Sequence, residues 1–216
     1  LKAGEILRQP DLARSISQIA RGGPDYFYRG PLAKAIADFL GENGGALTAD
    51  DFADHATDIG TPLSTTYRGY TVYETALPTQ GFVVLEALNI CENAALGEQG
   101  ISSAAGVHTS VSALRQAFAD RRAYAGDPRF VETPMTTLLS KAWAKDRHAT
   151  IPSDRLVDEQ AGVIAEGNTT SLTCVDGNGL MISLIWTVSD AYGSRVVAGD
   201  TGIILNVKPR VNPGGL

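Results

Sequence analysis

Gly167–Asn206 holds the chain's candidates for covalent chemistry. Thr169 and Thr170 open an alternating, β-branched run to Val175, and Asp176–Gly179 supplies turn residues. Leu180–Val188 is apolar enough for a second, buried strand, with Thr187 near its end. The pattern predicts a β-hairpin whose first strand begins at Thr169. A threonine hydroxyl is a weak nucleophile and acts only when an adjacent base takes its proton. A free α-amine, with a reference pKa of about 7.7 to 8.0, is such a base near neutral pH. A threonine that becomes a chain terminus therefore carries nucleophile and base on one residue. Its β-branching also restricts χ1 and keeps Oγ on one trajectory. By residue type alone, Thr169 and Thr187 are also ordinary strand residues of high β-propensity.

No rival constellation is present. His55, His108 and His148 fall in separate predicted elements without metal-ligand spacing, and there is no Gly-x-Ser-x-Gly elbow for a serine triad. Gly41-Glu42-Asn43-Gly44-Gly45 lacks both the phosphate-loop lysine and the dinucleotide spacing, so it reads as a helix stop. Neither metal nor cofactor is implied. A net charge of −6 offers no basic stripe for nucleic acid, and no apolar run is long enough to cross a bilayer. With 44% hydrophobic and 19% charged residues, the 216-residue chain has the composition of a globular domain. Cys91 and Cys174 are far apart and outside any ligand cluster, which predicts buried free thiols.

The elements that must position the hairpin follow from periodicity. Leu12, Ile16 and Ile19 predict a helix over Asp11–Ala20, ended by Gly22-Gly23, and Pro24–Gly30 reads as a turn-rich aromatic link. Leu32, Ile36, Phe39 and Leu40 mark a helix from Pro31, and Thr48–Asp51 is a capping box opening a short one. Thr61–Thr75 predicts two strands turning at Arg68-Gly69, followed by a long helix from Gly81 through Leu96. A helix over Ala105–Tyr124 is expected to pack Val107, Val111, Leu114 and Phe118 on a core, and another spans Leu138–Arg147. Asp120, Arg121 and Asp127 read as local caps and pairs. Ile151–Gly167, poor in large apolar residues, reads as a mobile surface tether.

The run Asn168-Thr169-Thr170, Val175-Asp176, Gly179, Thr187, Gly193-Ser194, Val196-Val197 and Gly202-Ile203-Ile204-Leu205-Asn206 resembles the nucleophile region of the gamma-glutamyltranspeptidase family. Asp25–Gly30, Gly44–Thr48 with Asp50-Asp51, Thr66–Tyr70, Pro78–Gly81, and Phe118–Arg121 with Gly126–Pro128 resemble its large-subunit region. The resemblance covers essentially the whole chain and a central portion of the family's longer one. It implies an α/β fold: a four-layer αββα N-terminal-nucleophile hydrolase sandwich of two antiparallel sheets flanked by helices. It further implies self-cleavage between Asn168 and Thr169. Residues 1–168 are then the C-terminal part of the large-subunit region and 169–216 the start of the small-subunit region, two subunits from one precursor within one structural domain. Thr169 would be the nucleophile, Thr187 would orient it, and Thr170 and Ser189 would lie at the substrate. The implied partners are a γ-glutamyl amide such as glutathione and an amino acid, peptide or water as acceptor.

Departures from the family pattern bear on the acyl group. Ser171 and Ser189 stand where the transpeptidases often carry histidine and asparagine, and Lys208 and Val211 stand where they carry Gln and Asp. Loss of a carboxylate that pairs with the donor's ammonium weakens γ-glutamyl recognition. The alternatives are therefore a glutaryl or cephalosporin-type acylase, or a family member that has lost activity and acts as a binding module. The family's carboxylate-binding arginine is expected upstream of Leu1 and its oxyanion glycines well downstream; Pro213-Gly214-Gly215 resembles the tripeptide carrying them but comes far too early, by coincidence or because an intervening stretch is missing. Compartment stays open between periplasmic or secreted and cytoplasmic.

Overall fold

The computed structural model describes residues 2–153, 155–156, 168–189 and 192–207, which fall into two compact units. At Asn168, Thr169 and Ser189 only the backbone is described. The expected tether over 157–167, and Lys208, Val211 and Pro213–Gly215, lie outside the described residues.

The first unit holds residues 2–58, 168–189 and 192–207. Helix α1, Pro10–Tyr28, is broken at Gly23 (φ 67°), so the Gly22-Gly23 stop is real. Pro24 then restarts the helix, as its fixed φ favours a first-turn position, and the aromatic link expected over Pro24–Gly30 is helical to Tyr28. Ser15 is buried on α1 while Ile16 is exposed. Helix α2, Pro31–Glu42, buries Leu32 and Ile36. Helix α3, Ala49–Ala53, starts in the expected capping box: Thr48 Oγ1 accepts from Asp51 N, and Asp51 accepts from Thr48 N. Leu32, Ile36 and Ala198 form a core joined by Ile19, Tyr26, Phe27, Phe39, Leu40, Phe52, Ile203 and Leu205. The helices thus pack against the loop that follows the candidate nucleophile hairpin.

The second unit holds residues 59–153 and 155–156. Strands β1, Leu63–Tyr67, and β2, Tyr70–Glu74, pair antiparallel across a two-residue turn. Arg68 (φ 50°) and Gly69 (φ 84°) take the positive φ values that such a turn needs. Helix α4, Gly81–Cys91, stops short of the expected Leu96 because the Asn93 amide donates to the carbonyls of Asn89 and Ile90, which the next turn would have used. A short helix α5, Leu96–Gln99, follows, then α6, Ala104–Tyr124. The helix expected over Leu138–Arg147 is two, α7 Met135–Leu138 and α8 Lys141–Ala149, because Ser140 caps the second by accepting from Trp143 N.

The expected buried stripe of α6 is a correction. Val107, Val111 and Leu114 are exposed, and the buried face carries Thr109, Ser112, Ala113, Gln116, Ala117 and Asp120, with only Phe118 of the stripe against the core. Small Ala113 and Ala117 sit in the core beside Phe82, Ile90 and Leu138, while Gln116 meets Thr150 Oγ1 at the C-cap of α8 and Asp120 meets the Arg147 guanidinium within it. Among the described residues no helix is long and apolar enough to cross a membrane.

Candidate active site

Strands β3, Asn168–Val175, and β4, Met181–Ser189, form the expected hairpin. The turn is built by Asp176, whose carboxylate accepts from Asn178 N (2.8 Å) and Leu180 N (2.9 Å), and by Gly179 at φ 84°. The register then sets Val175 opposite Met181, Thr170 opposite Trp186 and Thr169 opposite Thr187. The register therefore pairs the two threonines singled out in the sequence. One step further it shifts, so that Asn168 lies opposite Ser189. Two steps on β4 thus span the single Asn168–Thr169 peptide bond, and Val188 is the extra residue of a β-bulge. Nothing in the sequence pattern announces that bulge.

Thr187 and Val188 are half-buried, whereas Thr170 is exposed. The expectation that the second strand is buried is corrected: Met181, Ile182, Leu184, Ile185 and Trp186 are 50% to 72% exposed. Apolar strands of this kind are buried only when another layer covers them, and the described residues supply no layer over these side chains. Cys174 is likewise exposed rather than buried, while Cys91 is buried and its thiol pKa raised by that burial.

Beyond β4, the chain returns as a tight loop. Ser194 N donates to Leu205 O (2.9 Å), Leu205 N to Val196 O (2.9 Å) and Ala198 N to Ile203 O (2.9 Å), and Val207 N reaches back to Val188 O (3.2 Å). The segment that ends in Leu205-Asn206 is thereby tied to the strand bearing Thr187.

The histidines and the charged residues Asp120, Arg121 and Asp127 singled out in the sequence lie outside this hairpin. His55 stacks on Tyr28 at 4.6 Å, and His108 Nε2 lies 2.8 Å from Pro152 O; His148 Nδ1 is buried with no hydrogen-bond partner among the described residues. Asp127 pairs locally, its carboxyl held down to about 2 by hydrogen bonds from Arg129. Asp120 pairs with Arg147 at 2.9 Å instead of locally. No group of His, Cys, Asp and Glu among the described residues could hold a metal ion.

Residues 1–210 match the family described as Gamma-glutamyltranspeptidase. The chain belongs to the gamma-glutamyltranspeptidase family. It is 37% identical over 213 residues to the glutathione hydrolase proenzyme of Escherichia coli K12, covering 95% of this chain and 37% of that protein. It is 34% identical over 209 residues to the acylase ACY 1 proenzyme of Pseudomonas sp. SE83, covering 95% of this chain and 38% of that one. The crystal structure of cephalosporin acylase from Bacillus halodurans superposes with a TM-score of 0.85 at 30% identity, over 100% of this chain and 40% of that one. The chain thus spans less than half the length of these relatives. The α/β class of the N-terminal-nucleophile hydrolases is borne out, and the described residues contribute helices and two two-stranded antiparallel sheets. The relatives' names cover both acyl classes weighed from the sequence, glutathione and cephalosporin-type amides.

Proposed function

We propose that this chain carries the nucleophile region of a self-cleaving threonine amidohydrolase or acyltransferase acting on γ-glutamyl amides such as glutathione. The observation that carries the reading is the register: Thr169 is paired with Thr187, and the backbone departs from regular pairing at the Asn168–Thr169 bond. Thr169 Oγ attacks the amide carbonyl, the liberated Thr169 amine takes the hydroxyl proton and returns it to the leaving amine, and an acyl-enzyme forms. Water releases the acyl group in hydrolysis, and an amino acid or peptide releases it in transfer. Thr187 orients the nucleophile, Thr170 and Ser189 flank the substrate, and residues 1–168 and 169–216 become parts of two subunits from one precursor.

The same chemistry on a glutaryl or cephalosporin-type side chain is the second reading. It is favoured by Lys208 and Val211, which replace the polar pair that would bind the donor's ammonium, and by the similarity to acylases. Replacement of Thr169 by alanine in the full-length protein tests both. Maturation and turnover are both lost; retention of either refutes Thr169 as the nucleophile.

A further inference from the structure

The residue opposite the interruption of pairing at Thr169 is met by a segment outside the hairpin. Val188, the residue left over in the register, gives its carbonyl to Val207 N at 3.2 Å. Gly193 closes on the same residue. It is buried with φ 53°, and a Cβ at that position would lie 3.1 Å from Val188 Cβ and 2.4 Å from Leu205 O. Leu205 O has little freedom to retreat, because both Ser194 N and Ser194 Oγ donate to it at 2.9 Å.

The far end of the loop is pinned to α1. Ser15 Oγ donates to Thr201 O at 2.7 Å and Arg14 to Asp200 O at 2.9 Å. A Cβ on Gly202 would lie 2.2 Å from Leu12 N. Residues 194–205 therefore form a stiff wedge between α1 and Val188, and the point of contact admits no side chain.

We infer that Gly193 is a positioning residue for self-cleavage: its missing side chain lets the 194–207 loop seat against Val188 and hold the bulge opposite the Asn168–Thr169 bond. The inference rests on Thr169 being the nucleophile. A peptide bond clamped by ladder hydrogen bonds on both sides resists the reorientation its own side chain needs for attack, and a bulge removes that clamp at one bond. In the reaction a Thr169 Oγ–C bond to the Asn168 carbonyl forms as the C–N bond breaks. The hydroxyl proton passes to the departing nitrogen. Water then splits the ester, leaving an Asn168 carboxylate and a free Thr169 amine.

The control lies in the same loop. Gly199 has the same φ of 53°, yet a Cβ there would meet only Phe39 Cδ2 at 3.9 Å. Gly193→Ala and Gly199→Ala therefore share the left-handed backbone cost and differ in contact with Val188 and Leu205. The experiment follows cleavage of freshly made full-length precursor by intact mass across a range of pH, for both variants and for Thr169→Ala. Circular dichroism and thermal midpoint confirm the fold of each. Gly193→Ala slows cleavage of folded precursor by about tenfold or more at every pH, the scale of loss that misplaced reacting atoms bring, and Gly199→Ala stays within about twofold of the parent. If Gly193→Ala does not fold, Val188→Ala is measured instead, and it too cleaves severalfold slower. Cleavage of folded Gly193→Ala, or of its Val188→Ala substitute, at the rate of Gly199→Ala while Thr169→Ala stays intact overturns the inference alone. Cleavage of Thr169→Ala overturns the reading beneath it.

Discussion

Glu86→Gln isolates a buried acid that the fold holds protonated. Glu86 is fully buried, its Oε1 accepts from Trp143 Nε1 at 3.1 Å, and its Oε2 has no hydrogen-bond partner among the described residues in its unprotonated form. The same indole nitrogen donates to Asp120 Oδ2 at 3.1 Å, while Asp120 Oδ1 pairs with Arg147 at 2.9 Å. Burial first, and then the adjacent Asp120 carboxyl, push Glu86 from its ordinary 4.5 up to about 9. Because the folded pKa is raised, the neutral acid costs nothing below about 4.5, and stability is lost as pH rises from there towards about 9. Each pH unit above the unfolded value is worth about 1.4 kcal/mol, so by pH 7.5 the upper bound is about 4 kcal/mol, and partial relaxation of the site leaves roughly 2–4. Glutamine keeps the oxygen that accepts from Trp143, places an amide donor beside Asp120 and has no proton to lose. Urea unfolding of parent and Glu86→Gln at pH 5 and pH 8 is the assay. The variant gains about 2 kcal/mol or more over the parent on going from pH 5 to pH 8. A parent and variant that lose stability in parallel across that window refute the protonated state.

Gly106→Ala, whose Cβ would lie 2.3 Å from Gly100 O at the start of α6, destabilises by about 1–3 kcal/mol, while Gly41→Ala in α2, with nothing within 4 Å, stabilises by about 0.5–1 kcal/mol; thermal midpoints of the two variants check the contrast. Among anilide substrates, Lys208 and Val211 predict faster hydrolysis of the glutaryl than of the γ-glutamyl compound by purified enzyme, and the reverse ranking returns the acyl group to γ-glutamyl.

What could be read in advance was whatever neighbouring residues decide. The β3–β4 hairpin follows from alternation up to Val175 and the Asp176–Gly179 turn, and the β1–β2 turn follows from Arg68-Gly69. The Thr48–Asp51 box is contained in four residues. What failed depends on partners distant in sequence. The buried face of α6 is polar because Trp143 and Arg147, on another helix, satisfy Asp120. α4 ends early because Asn93 turns its amide back on the helix, a choice that apolar periodicity does not register. The bulge at Val188 is met by Gly193 and Val207, which reach it only after the chain has reversed. The nearness of Thr187 to Thr169 came from the family resemblance, and the break in register beside that pair came from neither resemblance nor pattern.

The most direct test of the central claim is intact-mass analysis of freshly expressed full-length protein followed over time, with N-terminal sequencing of the products. Two fragments that meet between Asn168 and Thr169 are expected, appearing in step with amidase activity. A single unbroken chain that turns over substrate, or a new terminus elsewhere, contradicts it.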